Sequence, residues 1–315
     1  MSASGGTRAV VAALLANTGI AVTKFLAWLL TGSSAMLAES VHSVADAGNQ
    51  GLLLVGGARA RRQATPLHPF GFGRERYIYA FIVSIVLFSV GGLFALYEAW
   101  QKLSDPHVID RWHWVPVLVL VVAIGMETAS LRTAVRESNA VRGTVSWVRF
   151  VRRARAPELP VVLLEDIGAL VGLIFALVGV GLTLLTGNGI WDAAGTAMIG
   201  LLLVSIAVVL AIETKSLLLG EAATPADLAA IEAALTGGDR VDRIIHMKTM
   251  HLGPDELLVA AKIAVAPEVA AGELAATIDA AEARIRAAVP IARVIYLEPD
   301  IYAAAPADPA SPSRS

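Results

Sequence analysis

Apolar residues along this chain form long blocks separated by short polar connections. Six blocks are long enough to cross a bilayer as helices, which takes about 20 residues each. The predicted spans are 9–31, 35–58, 77–101, 113–134, 160–186 and 193–219. The first block begins too late and runs too long for a cleaved signal peptide. The pattern therefore predicts an α-helical membrane domain over residues 1–220.

The chain changes character after Gly220. Residues 222–302 contain 12 Asp and Glu and 7 Lys and Arg. Their pattern predicts a helix, two strands, a second helix and a third strand, in that order. This α-β-β-α-β order is typical of a small two-layer α+β domain, here assigned to 221–302. Residues 303–315 are rich in Ala, Pro and Ser and are predicted to be a disordered tail.

Composition supports a membrane protein and excludes several other classes. Of the 315 residues, 56% are apolar and only 17% are charged. The net charge of −2 disfavours a nucleic-acid-binding protein. Because the chain has no cysteine, disulfides, thiolate zinc sites and cysteine catalysis are impossible.

Positive charge is concentrated in alternate connections between the predicted spans. Five arginines lie in 59–76 and seven in 132–155, whereas 32–34 and 187–192 have no basic residue. The positive-inside rule places both basic connections, and with six spans both termini, in the cytoplasm. The short termini and the absence of a transit peptide favour a bacterial inner membrane.

The second predicted span carries the densest set of polar ionisable groups. Glu39, His42, Asp46 and Asn49 are spaced by three, four and three residues and therefore share one helical stripe. His42 and Asp46 are suitably placed to hold one cation between a ring nitrogen and a carboxylate. The alternative is a buried His–Asp pair that only holds helices together.

The fifth predicted span begins with two adjacent acids, Glu165 and Asp166. Adjacent helical residues point about 100° apart, so one acid can face the second span while the other meets a different neighbour. The alternative is an acidic cap at the helix N-terminus. One imidazole with two or three carboxylates suits a divalent first-row metal ion. Metal and proton would compete at His42, which is a physical route to proton antiport.

Two further charged residues inside predicted spans are weaker signals. Lys24, in the first span, is expected to extend to the membrane surface or to pair with an acid. Glu127, in the fourth span, is expected to pair with Arg132 or to face the interior.

Four motifs resemble the cation diffusion facilitators, also called the cation efflux family. They are TGSSAMLAESVHSVADAGNQ (31–50), HPFGFGRERY (68–77), EDIGALVGL (165–173) and WDAAGTAMIGLLL (191–203). The likeness covers roughly 9–302, and it is greatest for the subgroup of animal mitochondrial zinc transporters. It implies a homodimer with six spans and a cytoplasmic ferredoxin-like domain. It also implies export of Zn²⁺ or a related divalent ion in exchange for protons by alternating access.

The resemblance implies a transport site of His/Asp-xxx-Asp from the second span and His-xxx-Asp from the fifth. His42 and Asp46 match the first pair, and Asp166 matches the last aspartate. Val162 stands where the second histidine is expected, so Glu165 is a candidate replacement; Asn49 is a weaker candidate ligand. An oxygen-richer site leaves Mn²⁺, Fe²⁺ and Co²⁺ open beside Zn²⁺.

The family's other metal sites are expected to be weak or absent here. Thr65 and Phe72 replace the ligands of the loop between spans two and three. In the soluble domain, Tyr296-Leu297-Glu298 replaces the family's His-x-Asp. The weaker set that remains, which alternatively is solvated strand-end residues, is His246, His251, Glu298 and Asp300. The long basic loop 136–157 is expected to meet anionic lipid head groups.

The leading hypothesis is therefore a metal cation:proton antiporter, with the divalent metal as substrate and no prosthetic group. A non-transporting, membrane-anchored, metal-responsive regulator stays open because the second histidine is missing. An intramembrane metal-dependent hydrolase is a remote alternative, since the chain has no H-E-x-x-H motif.

Overall fold

The computed structural model describes residues 4–31, 34–104, 114–238 and 240–302. The side chains of 4–6, 27–28, 30–31, 34–39 and 41–42 lie outside this description, and so does the predicted tail 303–315. The chain divides into two compact units, residues 1–219 and 220–315, here called the helical unit and the C-terminal unit.

Long helices make up the described part of the helical unit. In chain order they are α1 (Ser4–Thr31), α2 (Ser34–Arg59), α3 (Glu75–Val86), α4 (Phe94–Ser104), α5 (Trp114–Arg142), α6 (Trp147–Arg153), α7 (Glu158–Thr186) and α8 (Ile190–Leu219). A π-helical segment, Leu87–Leu93, joins α3 to α4, so that Glu75–Ser104 runs as one helix of 30 residues. Helix α5 continues to Arg142, eight residues past the predicted span.

Within the described residues, five helical segments are long and apolar enough to cross a membrane, whereas the sequence predicts six spans. They are Thr7–Leu26, Glu75–Ser104, Trp114–Arg142, Glu158–Thr186 and Ile190–Leu219. The difference is α2, a 26-residue helix at the predicted position whose side chains are described at residue 40 and from residue 43 onward. Asp46, Asn49 and Gln50 interrupt its apolar residues, and these side chains belong to the candidate site described below.

Close helix packing brings the polar side chains of the helical unit together. Helix α1 packs against α2 and α5, and α7 packs against α5 and α8. Glycines allow α7 and α8 to approach: a Cβ on Gly195 would lie 2.9 Å from the backbone oxygen of Phe175. Small residues serve this purpose in membrane helices, where van der Waals contact rather than the hydrophobic effect holds helices together.

Both basic connections lie at the same end of the helical unit. Arg76, at the start of α3, forms an ion pair with Glu158, at the start of α7, and its Nη2 donates to Glu158 Oε2 over 2.9 Å. Arg152 of α6 lies 3.6 Å from Glu213, near the end of α8. Residues 60–74 and 143–157 are therefore on one side of the unit.

The C-terminal unit has the predicted α-β-β-α-β order, which confirms the fold class. Its elements are α9 (Pro225–Thr236), β1 (Arg243–Gly253), β2 (Glu256–Ala264), α10 (Ala271–Ala288) and β3 (Ala292–Asp300). The sheet order is β1-β2-β3, with β1 antiparallel and β3 parallel to β2. Thr224 caps α9 by accepting a hydrogen bond from the Asp227 amide, and Pro225 opens the helix. The core of this unit includes Ile231, Leu257 and Ile285.

Candidate metal centre

The two adjacent acids of α7 are buried and point to different helices. Glu165 faces α2, where its Oε1 accepts from Asn49 Nδ2 over 2.8 Å and its Oε2 accepts from Gln50 Nε2 over 2.7 Å. Asp166 faces α5, where its Oδ2 accepts from the Ser130 hydroxyl over 2.9 Å. This division follows from the roughly 100° between adjacent helical side chains.

Neutral side chains, rather than arginine or lysine, hold Glu165 in place. Gln50 in turn accepts from Asn17 Nδ2 of α1 over 3.3 Å, so an amide network joins α1, α2 and α7. Both Glu165 oxygens therefore accept hydrogen bonds from uncharged donors. Within the described part of the chain, Asn49 Oδ1 and Asp166 Oδ1 are buried without a hydrogen-bond partner. Buried acceptors of this kind have room for a cation or a proton.

Acidic groups from three helices line a cavity inside the helical unit. Asp46 of α2, Glu127 of α5 and Glu165 of α7 line it, together with Lys24 of α1. Glu127 is 1% exposed, and the charges of Asp46, Asp166 and Lys24 all act on it. The cavity extends to Glu98, towards the end of α4, so it is longer than a single ion site.

Lys24 lies in the same polar region. Its side chain is 4% exposed, and its Nζ donates to the Ser43 hydroxyl of α2 over 3.1 Å. Ser43 precedes Asp46 by three residues, so the ammonium group stands about one helical turn from that carboxylate. The burial of Lys24 argues against extension to the membrane surface, and that of Glu127 favours its interior-facing alternative.

The predicted second-span stripe is only partly visible. Asp46 lines the cavity and Asn49 donates to Glu165, whereas the side chains of His42 and Glu39 lie outside the described residues. Val162 is fully buried in the apolar core. Among the side chains that the structure describes, no three His, Asp or Glu are close enough to hold a metal ion together. The described carboxylates are spread around the cavity instead.

The four metal-ligand candidates of the C-terminal unit are not brought together. His251 is buried next to Leu257 of β2, whereas His246 is exposed opposite Lys262. Lys262 Nζ lies 3.2 Å from Glu298 Oε1 and 2.9 Å from Asp300 Oδ2. The hydrogen bond from Lys262 lowers the pKa of the Asp300 carboxyl. Both acids are thus paired with a lysine.

Comparison with known proteins identifies the class to which this arrangement belongs. The model of the cation efflux transmembrane domain matches residues 10–219. This match shows that the chain belongs to the cation efflux family and is an integral membrane protein.

The relatives include two proteins whose names refer to metals. Human "Proton-coupled zinc antiporter SLC30A9, mitochondrial" is 33% identical over 251 residues, which are 79% of this chain and 44% of that protein. "Metal tolerance protein C4" of Arabidopsis thaliana is 30% identical over 261 residues, 81% of this chain and 56% of that protein. The chain thus spans about half the length of these curated relatives.

Sequence reasoning missed the neutral members of the site. Asn17, Gln50 and Ser130 are buried and fix the α7 acids either directly or through one amide. Their signal in the sequence is weak, because single amides and hydroxyls are common in closely packed membrane helices. Gln50 directly follows Asn49, and that adjacency is what lets α2 meet both oxygens of one carboxylate.

Proposed function

We propose that this protein is a secondary transporter that moves a divalent metal cation, with Zn²⁺ as the first candidate, in exchange for protons. The observation that carries the proposal is the cavity lined by Asp46, Glu127 and Glu165. Ionisable side chains at membrane depth are energetically costly and mark ion pathways. A cavity with carboxylates from three helices favours a cation over any other cargo.

The proposed ligands come from α2 and α7. His42 and Asp46 supply an imidazole and a carboxylate from α2, and Asp166 supplies a carboxylate whose Oδ1 has no hydrogen-bond partner among the described residues. Glu165 is the proposed substitute for the histidine that Val162 replaces, and Asn49 is a weaker oxygen ligand. The metal ion is the substrate, and the proposal includes no prosthetic group.

Glu165 couples metal binding to helix contacts. Both of its oxygens are occupied by the amides of Asn49 and Gln50. Coordination by Glu165 therefore requires that at least one amide gives up its hydrogen bond, which loosens the contact between α2 and α7. Such an exchange of partners is a physical means of linking cation binding to a change between two arrangements of the helices.

Proton exchange follows from the chemistry of the same ligands. A metal ion binds neutral imidazole and ionised carboxylates, so protons and metal compete for one set of groups. Zn²⁺ accepts nitrogen and oxygen ligands, and the name of the human relative, a zinc antiporter, supports it. The excess of oxygen ligands keeps Mn²⁺, Fe²⁺ and Co²⁺ within the proposal.

We also propose the orientation, location and assembly of the protein. The two basic connections share one end of the helical unit, and the positive-inside rule assigns that end to the cytoplasm of a bacterial inner membrane. The chain leaves α8 at that end, so the C-terminal unit is assigned to the cytoplasm as well. A homodimer is proposed from the family alone.

Transport in proteoliposomes tests the function. We expect purified protein to take up Zn²⁺ with release of protons, and Asp46→Asn and Asp166→Asn to abolish both. Glu137→Gln is a matched control, because Glu137 lies on α5 but does not line the cavity. Zn²⁺ binding without any flux would favour the regulator, and flux unchanged in both aspartate variants would refute the proposed site.

A further inference from the structure

We propose that Lys24 is a tethered cation that occupies the acidic cavity when no metal ion is bound. Its ammonium group must then move aside before the metal can bind. The proposal rests on the proposed function and adds a residue on α1 that determines which cations enter the site.

The position of Lys24 is the first observation that supports this role. Its side chain lines the same cavity as Asp46, Glu127 and Glu165 and is 4% exposed. Its Nζ is held on α2 by Ser43, which precedes Asp46 by three residues. A single ammonium therefore stands at the α2 face of the proposed metal site.

The charge balance of the cavity is the second observation. Four carboxylates interact electrostatically in this region: those of Asp46, Glu127, Glu165 and Asp166. Among the residues that line the described cavity, Lys24 is the only Lys or Arg. In a region of low dielectric constant, an uncompensated cluster of negative charge is strongly unfavourable. Lys24 therefore stabilises those carboxyl groups of the empty cavity that are ionised.

A divalent ion and the Lys24 ammonium cannot both occupy this face of the site. Two positive groups only a few ångströms apart repel strongly where water is scarce. The long, flexible lysine stem lets the ammonium retreat along the cavity while its backbone stays fixed. Lys24 thus competes with the substrate although it is not a ligand.

Competition with a tethered charge favours divalent over monovalent cations. A monovalent ion that displaces the ammonium only exchanges one positive charge for another. A divalent ion brings one additional charge to the carboxylates, so it gains attraction that the lysine did not supply. Lys24 therefore weakens the binding of Na⁺ and K⁺ more than it weakens the binding of Zn²⁺.

Equilibrium Zn²⁺ binding to the purified full-length protein tests this role. We expect Lys24→Met to lower the Kd for Zn²⁺ about tenfold, within the usual range for coupled sites. Lys24→Arg keeps the charge and should stay closer to wild type. Lys215→Met is the matched control, because Lys215 is exposed on α8 and does not line the cavity. In Lys24→Met, K⁺ at about physiological ionic strength, roughly 0.15 M, should weaken Zn²⁺ binding more than it does in wild type.

The absence of cysteine from the chain permits a second test at the same position. Lys24→Cys is compared only after its thiol has been blocked, because a free thiolate is itself a zinc ligand. Reaction with 2-aminoethyl methanethiosulfonate attaches a positive charge through a disulfide and should restore the weaker, wild-type affinity. Methyl methanethiosulfonate attaches a neutral group of smaller size and should not.

The outcomes separate the two proposals. If Asp46→Asn binds Zn²⁺ as wild type does, the proposed metal site is wrong. If Asp46→Asn loses binding but Lys24→Met binds Zn²⁺ equally or more weakly than wild type, the tethered-cation role is wrong and Lys24 is structural. Two results together support both proposals. A folded Lys24→Met protein binds Zn²⁺ more tightly than wild type, and attaching the aminoethyl group to the Lys24→Cys variant restores the weaker affinity.

Discussion

The acids of the candidate site in the helical unit and the ion-paired acids of the C-terminal unit lie in opposite environments. In the helical unit, Glu165 and Asp166 are buried and accept hydrogen bonds from amides and a hydroxyl. In the C-terminal unit, Glu273 lies 2.8 Å from Arg240, and Lys262 pairs with Glu298 and Asp300. The candidate site of the helical unit holds these two acids with neutral donors, whereas these three acids of the C-terminal unit are held by cations.

This difference indicates where a metal ion can add stability. An exposed ion pair is solvated, screened by salt and already neutral, so a cation gains little free energy by binding to it. A buried carboxyl with only neutral donors has no compensating positive charge, so a cation or a proton that reaches it is strongly attracted in a region of low dielectric constant. The difference therefore favours the helical unit as the place of the proposed cation transport.

The largest expected effect comes from comparing the same type of change, Asp to Asn, at one position in each unit. Asp46→Asn removes a charged ligand from the cavity, and we expect the Zn²⁺ transport rate to fall by at least about 100-fold, since even supporting residues of metal sites cost roughly 10–100-fold. Asp300→Asn, in the exposed pair, should leave the rate within about twofold. Initial rates in proteoliposomes measure both, and equal losses would show that the two units do not differ in this respect.

The next effect is on stability. Glu165→Gln replaces one acceptor oxygen by an NH₂ group, which faces an amide donor of Asn49 or Gln50 as these amides are oriented in the structure. We expect the free energy of unfolding to fall by about 2 kcal/mol, the usual cost of a buried unsatisfied polar group. Tryptophan fluorescence reports this unit alone, because all six tryptophans lie within residues 1–219. Glu137→Gln is the control, and equal stability of both variants would remove the proposed role of the amides.

The sequence predicted the class of fold well. Long apolar blocks and the shift to a charged α-β-β-α-β segment depend on local composition, which a single sequence contains. The π-helical segment Leu87–Leu93 and the short helix α6 were not predicted. Both depend on packing against neighbouring helices, which the sequence does not display.

The arrangement of the acids was only partly predictable. Helical geometry required Glu165 and Asp166 to face different neighbours, and they do. Which acid faces α2 depends on the rotation of α7, and that rotation is set by contacts with α2 and α5. The sequence alone did not indicate a role for Lys24 or Glu127. The structure shows that both residues line one cavity.

A smaller effect is expected from the packing that holds the acids in place. A Cβ on Gly195 would lie 2.9 Å from the Phe175 carbonyl oxygen, so Gly195→Ala should force α7 and α8 apart. We expect a loss of about 1.5 kcal/mol, typical of overpacking. Gly48→Ala is the control because a Cβ there meets no atom within 4 Å. Tryptophan fluorescence during denaturation compares the two, and a Gly195 variant as stable as the Gly48 variant would contradict this packing.

The smallest effect concerns the acid dependence of the C-terminal unit. The hydrogen bond from Lys262 holds the pKa of Asp300 below its usual value. A carboxyl whose pKa is lowered by folding adds stability above its unfolded pKa of about 3.9, and that stability disappears as the pH falls through the lower folded value. Asp300→Asn should therefore weaken the pH dependence below about pH 4.

Hydrogen exchange of peptides from β2 and β3, compared between variant and wild type at each pH, measures this dependence. Because the pair is exposed, the change should be small and should vanish in high salt. A large, salt-independent change would mean that this pair is more than a solvated surface contact.

The most direct test of the central claim is the position of the ion itself. Anomalous scattering at the zinc absorption edge, from crystals of the full-length protein grown with Zn²⁺, locates bound zinc independently of any transport assay. We predict a peak in the cavity next to Asp46 and the α7 acids, and its loss in Asp46→Asn. A peak at Glu298 and Asp300 alone, with none in the cavity, would contradict the assignment of cation transport to the helical unit.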